Sequence, residues 1–299
     1  MNGPVRVALP ATCGEFIQGT LDGEDCLVSC PIGRYSMAEV CLQQGVGWRV
    51  PVDAPKTRTA LQMGLTYIGQ TQSGGCVRLH SKLPRSRGYG SSTADIGATL
   101  YALGWAVGRQ LAAVEVARLA LQVEPSDSSL FPGLALWDHR HGQRYEDLGA
   151  VPPLIVLVLD SGGEVDTLAF NRLDHRQMLR QLAPQHQEAF VLLRHGLRQG
   201  NPEAIGAAAT LSATAHQAIL FNPLLTRVLA LARDVQALGV CRAHSGTLLG
   251  LLLDPRCADI DEIVALVARR FAPALTVCKL PLVNGGPRLL TGHTGWVAE

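Results

Sequence analysis

Between Val77 and Leu83 apolar and polar positions alternate: Val77, Leu79, Ser81 and Leu83 are interleaved with Arg78, His80 and Lys82. A period of two predicts a half-buried strand ending at Pro84. Further on the period changes. Ala94, Ile96, Ala98, Leu100, Tyr101, Leu103, Trp105 and Val107 predict a helix that is apolar nearly all round, with Gly97, Gly104 and Gly108 allowing close packing. From Val5 to about Gly47, short apolar stretches broken by Gly, Pro and Asp read as strands, with Leu21-Asp22-Gly23-Glu24-Asp25 as a hairpin turn. Ala60, Leu61, Leu65 and Ile68 predict a helix over Lys56 to Gly69, and a further helix runs from Val114 to about Leu121. After Pro152-Pro153, the run Leu154 to Leu159 suits a strand buried on both faces. A domain boundary is placed near residue 150, dividing the chain into 1–150 and 151–299.

The second half has clear punctuation. Asn201-Pro202-Glu203 and Asn222-Pro223 each set an N-cap candidate before a proline, so helices are expected to start there. Helical patterns over 173–199, 202–217, 223–238 and 259–271 are interleaved with strand patterns over 154–160, 239–244, 247–253 and 274–281. That order is a split βαβ sandwich, which makes the chain α+β.

The 299 residues are 47% hydrophobic and 17% charged, enough for a sizeable core. A net charge of +1 without a basic run excludes the electrostatic footprint of a nucleic-acid binder and points to a small-molecule partner. The eight cysteines form no C-x-x-C pair, and Cys26 and Cys30 have no matching couple for zinc. They read as buried small hydrophobes in a reducing cytosol. Neither a secretory leader nor an apolar run of about 20 residues is apparent, so a cytoplasmic location is expected.

Chemistry concentrates at Pro84-Arg85-Ser86-Arg87-Gly88-Tyr89-Gly90-Ser91-Ser92-Thr93-Ala94, between the strand and the apolar helix. Gly88 and Gly90 tolerate positive φ and let backbone amides face an anion, while Ser91, Ser92 and Thr93 can cap the helix or bind a cation. Free N–H groups and the helix dipole favour phosphate there. Neither G-x-x-x-x-G-K-[ST] nor G-x-G-x-x-G occurs in this loop. A relaxed nucleophile elbow around Ser92, with Asp160 and His244 following, leaves a serine hydrolase open. A nucleotide-binding regulator without turnover is a second alternative.

The string P-x-x-x-G-x-G-S-S-x-A resembles the second signature of the GHMP kinases, named for galacto-, homoserine, mevalonate and phosphomevalonate kinases. Tyr89 stands where the family usually has leucine, and Thr93 where it usually has alanine. Leu9 to Gly19, containing Cys13, Gly14 and Glu15, resembles the first motif of that family, and Arg242 to Gly250 resembles the third. The resemblance implies a two-domain fold: a ribosomal-protein-S5-like N-terminal domain and a ferredoxin-like C-terminal one. It implies ATP held by residues 84–94 together with Ser245, Gly246 and Thr247, and Mg²⁺ held by Ser92 and Glu124. It further implies Asp127 as the base for the acceptor hydroxyl and Cys13 and Gly14 near the substrate. Glu15 is a candidate for binding a substrate ammonium, with a surface acid at a turn as the alternative. Asp160, at the end of the first strand of the second half with Asp166-Thr167 beyond, is a candidate substrate contact, with a plain β-turn as the alternative.

Among family members, the strings Pro10 to Gly19, Glu124 to Ser128 and Ala243 to Thr247 resemble those that phosphorylate L-threonine to L-threonine O-3-phosphate in cobalamin assembly. Homoserine is the competing acceptor. His244 is expected to pack or hydrogen-bond rather than act as acid or base. His139, His141, His175 and His186 are read as surface residues.

Overall fold

A computed structural model describes residues 3–163, 175–256, 259–273 and 275–290. Two long strands, β1 (Val5–Leu21) and β2 (Glu24–Leu42), form the expected hairpin. Asp22 and Gly23 both take positive φ at its turn, which matches the twist of the flanking strands. Proline and glycine do not break these strands as the sequence pattern suggested. Register shifts at Pro10/Ala11, Thr12/Glu15 and Glu15/Ile17 absorb them as bulges.

After β3 (Trp48–Arg49), helix α1 (Pro55–Ile68) leads to β4 (Gly75–Ser81), which pairs antiparallel with β2. The apolar helix α2 (Ser91–Ala106) then crosses the sheet. A methyl group at Gly97 would sit 2.3 Å from Leu130 Cδ2 and 2.6 Å from Leu9 Cδ1, so glycine lets helix and strand close on each other. Helix α3 (Ala113–Leu121) is followed by a hairpin, β5 (Leu134–Asp138) and β6 (Tyr145–Gly149), absent from the sequence expectations.

The remaining elements are β7 (Ile155–Asp160), α4 (Arg176–Gln181), α5 (Ala183–Gln199), α6 (Pro202–Ala215), α7 (Leu225–Asp234), β8 (Gly239–Arg242), β9 (Leu249–Leu253), α8 (Ile260–Phe271), β10 (Thr276–Pro281) and β11 (Arg288–Leu290). The helix expected over 173–199 is divided at Leu182, because Pro184 sits in the first turn of a new helix. Asn201 caps α6 as expected, accepting from the Ala204 amide at 2.9 Å. Asn222 accepts from the Leu224 amide, and α7 begins only at Leu225.

Strand order β10-β7-β9-β8, all antiparallel, is the split βαβ arrangement. It continues into β1-β2-β4-β3 through a single pair, Glu15 with Arg242. One apolar cluster spans that seam, with Val7, Ile17, Leu100 and Phe131 joined to Val156, Phe190, Ile205 and Leu252. A smaller one holds Leu157, Val228, Leu251, Val267 and Phe271. Among the described residues no helix is long and apolar enough to cross a membrane.

Gly206 of α6 and Gly239 of β8 meet backbone to backbone, and a Cβ on Gly206 would lie 2.0 Å from the Leu238 carbonyl oxygen. Gly206→Ala is expected to lower stability by about 3 kcal/mol, because neither backbone can yield. Gly47→Ala, with nothing within 4 Å of the added methyl, is expected to change it by no more than about 0.5 kcal/mol. Urea midpoints of the two variants test this.

Candidate active site

A bulged stretch of β1 and two loops converge where the two halves of the sheet meet. The amides of Thr12 and Gly14 donate to the carbonyls of Tyr89 and Gly88 at 2.9 and 3.1 Å, and the amides of Thr247 and Leu248 donate to Arg87 at 2.9 and 3.1 Å. No side chain fits between them. A Cβ on Gly88 would lie 2.2 Å from that of Ala243, and one on Gly246 would lie 2.4 Å from the Arg87 carbonyl oxygen. The loop is thereby clamped from both sides, and Gly90, in the left-handed region, turns it into α2.

No side chain caps α2. Its first-turn amides and its dipole therefore remain available to an anion in a cleft of about 340 Å³. That cleft is lined by the loop from Arg85 to Thr93 except Arg87, by Ser245, and by Glu15, Glu124 and Asp127. Ser92 Oγ donates to Glu124 Oε1, and Lys56 Nζ lies 2.6 Å from the other Glu124 oxygen. A hydroxyl, a carboxylate and an ammonium thus meet beside the helix N-terminus.

Asp127 lies beside Gly90, whose Cβ position is 2.5 Å from Asp127 Oδ2. The Asp127 amide donates to Thr93 Oγ1 at 3.2 Å. The extra hydroxyl at position 93 therefore fixes the backbone of Asp127. Desolvation, with the charges of Glu15 and Glu124, raises the Asp127 carboxyl to about 7.

Glu15 is buried, and its Oε2 lies 2.9 Å from both the amide and Nδ1 of His244. Burial raises its carboxyl to about 8, against the opposing effects of the His244 amide and the Arg242 charge. Burial and Arg242 push His244 well below the usual histidine range, so its ring is neutral. Its Nδ1 faces two acceptors, Glu15 Oε2 and the Arg242 carbonyl, and so carries the proton. Its Nε2 accepts from Ser212 at 3.2 Å, and Ser212 Oγ in turn accepts from the Gln18 amide. His244 is a hydrogen-bonding residue, as expected.

Several residues occupy other places than anticipated. Cys13, Gly14 and Asp160, expected at the substrate, lie behind the cleft lining. Cys13 is fully buried with Sγ directed at the Leu249 carbonyl, and Gly14 belongs to the loop clamp. The Asp160 carboxylate is held by Tyr89 Oη and Arg87, both at 3.2 Å. Tyr89, the departure from the usual leucine, thereby ties the loop to the end of β7.

Pro84, Arg87, Ala94, Gly246 and Thr247 shape the loops without lining the cleft. The hydrolase triad is not assembled, because Ser92 is bonded to Glu124 while His244 is bonded to Glu15 and Ser212. His139 and His186 are buried rather than on the surface, unlike the exposed His141. Asp166-Thr167 lies outside the described residues.

Lys56 was legible only as the start of a helix. A cation in the first turn opposes the helix dipole, and that mismatch is the local signal of a role beyond helix formation. Asp95, which accepts from Ser36 at 2.5 Å and lines the cleft, carried no such signal inside an apolar helix.

Residues 57–131 match the family model described as the GHMP kinases N terminal domain. The chain is 34% identical to an L-threonine kinase of Salmonella typhimurium over 289 residues, covering 94% of each protein. It is equally similar to an L-threonine kinase of Citrobacter freundii over 261 residues, covering 87% of this chain and 90% of that protein. Among solved structures, homoserine kinase from Cytophaga hutchinsonii superposes with a TM-score of 0.74 at 18% identity, covering 97% of this chain and 98% of the other. Mevalonate kinase of L. major, in complex with R-mevalonate, gives 0.67 at 16% identity, covering 95% of each. The chain belongs to the GHMP kinase family, and its two-part α+β fold is the one those kinases share.

The raised carboxyls have a consequence for stability. Asp127 and Glu15 have ordinary values of 3.8 and 4.5, so the folded protein retains protons that the unfolded chain releases. Their stabilising contribution is complete below about pH 4 and is lost as pH rises through about 7 and 8. Urea midpoints of the ligand-free protein are expected to fall over that interval, and to fall less in Asp127→Asn.

Proposed function

We propose that this protein is an ATP- and Mg²⁺-dependent kinase that phosphorylates the side-chain hydroxyl of L-threonine, giving L-threonine O-3-phosphate. The observation that carries the reading is the cluster of Ser92, Glu124, Lys56 and Asp127 around the uncapped N-terminus of α2. The amides of Ser91, Ser92 and Thr93 and the turn at Gly88 and Gly90 bind the phosphates. Arg85, Ser86 and Ser245 line the same cleft.

A hydroxyl and a carboxylate in contact are hard oxygen donors suited to Mg²⁺. Ser92 and Glu124 would hold the ion, which when bound neutralises charge on the phosphoryl oxygens. Lys56 orients the Glu124 carboxylate and adds positive charge at the phosphate end.

Asp127 receives the proton of the acceptor hydroxyl. A carboxyl at about 7 is matched to that task near neutral pH. L-Threonine as the acceptor is supported by the two relatives of that name over most of the chain. The product would serve assembly of the cobalamin nucleotide loop, as the resemblance in sequence implies. A cytoplasmic location fits such a role.

ADP release is to be measured with L-threonine, L-serine, L-homoserine and mevalonate, with and without magnesium. Highest kcat/KM is expected with L-threonine and none without the metal; preference for homoserine would overturn the substrate, and no release with any alcohol the kinase reading. Ser92→Ala and Glu124→Gln are each expected to lower kcat by about 100-fold.

Asp127→Asn is expected to lower kcat by about 100-fold or more and to remove the rise of kcat/KM through about pH 7. An unchanged turnover number in this variant removes Asp127 as base.

A further inference from the structure

Gln18 and His139 line the same cleft, apart from the cluster of Ser92, Glu124 and Lys56. Residues three apart on a regular strand face opposite sides, yet Glu15 and Gln18 both reach the cleft. The cause is the bulge at Phe16. Glu15 pairs with Ser29 and Ile17 with Val28, so two steps along β1 match one along β2, and every later side chain changes face. Without this irregularity Gln18 would point away.

Gln18 is also held in place. Its amide donates to Ser212 Oγ at 3.2 Å, and Ser212 is fixed in turn by His244. Its side-chain Nε2 lies 3.5 Å from His139 Nε2. An amide nitrogen only donates, so in this contact His139 Nε2 serves as the acceptor. His139 is 7% exposed, and burial lowers its pKa to about 3, so it adds no charge.

With its nitrogen turned to His139, Gln18 has its side-chain carbonyl free for the cleft, which the carboxyl groups of Glu15 and Asp127 also line. A positive charge arriving between them favours the ionised form of both carboxyls, and the three oxygens then suit a ligand group with several donors. An ammonium is that group.

We propose that Gln18 seats the α-ammonium of the amino-acid acceptor through its side-chain carbonyl, and that His139 is the positioning residue that orients the Gln18 amide. This rests on the kinase reading and adds to it a reason for choosing amino-acid alcohols over plain hydroxy acids. The phosphate cluster at Ser92, Glu124 and Lys56 is untouched by either residue.

Kinetics with L-threonine and (R)-3-hydroxybutyrate, which lacks only the amine, test the assignment. Gln18→Met, nearly isosteric but without the amide, is expected to raise KM for L-threonine about 10-fold or more. KM for ATP should stay within about twofold, and the preference for L-threonine over the hydroxy acid should shrink by the same factor as the threonine loss. His139→Leu is expected to raise KM for L-threonine several-fold, and His139→Asn, which keeps an acceptor for Gln18, to recover most of that loss at an unchanged melting temperature.

Wild type that turns over L-threonine alongside Gln18→Met with unchanged KM and unchanged preference overturns this assignment and leaves the kinase reading intact. Equal KM values in His139→Leu and wild type overturn the positioning role. Wild type inactive on every amino-acid alcohol overturns both readings.

Discussion

The carbonyls of Arg87, Gly88 and Tyr89 receive amides from two other segments, Thr12 and Gly14 in the bulged part of β1 on one side and Thr247 and Leu248 before β9 on the other. This backbone contact needs glycine at 14, 88 and 246, since a Cβ at any of them would lie within 2.4 Å of a neighbouring atom. Main-chain hydrogen bonds at such close approach fix position more tightly than side-chain contacts do, because the groups that make them have few torsions left to vary. The rest of the site follows. Gly90 is placed against Asp127, α2 begins at Ser91, and its uncapped amides look into the cleft.

Around that frame the cleft gathers carboxylates in a poorly solvated space. Glu124 is balanced by Lys56, whereas Glu15 and Asp127 hold their protons up to about 8 and 7. Ionising both beside Glu124 would set like charges together, and with desolvation that cost is what raises their pKa values. Arg242, fully buried and bonded to Gln217 and the Leu220 carbonyl, offsets part of that charge beneath Glu15. The seam between the sheets is therefore electrostatic at its centre and apolar around it. Its single strand pair, Glu15 with Arg242, lies at the point where the charges concentrate.

Local signals in the chain were strong where one element or one turn decides the outcome. The hairpin at Asp22-Gly23, the apolar helix α2, the cap at Asn201 and the split βαβ order are all legible, because φ preference, periodicity and capping act over a few residues. Legibility failed where pairing decided. The β5–β6 hairpin and the uninterrupted run of β1 through Pro10 and Gly14 depend on partner strands distant in sequence. His139 and His186 sit in polar segments yet are buried, since what covers them comes from elsewhere in the chain.

The glycine loop with its three hydroxyls, and its companion segments near Glu15 and Ser245, determine by sequence alone the family of this chain and the turn that leads into α2. Spacing in sequence cannot say which face a residue presents once a bulge intervenes. Only the tertiary structure decided that Gln18 joins Glu15 in the cleft, that Lys56 meets Glu124, and that Asp160 and Cys13 turn behind the loop. Those outcomes depend on register and on close approach between distant segments, which local preferences along the chain do not encode.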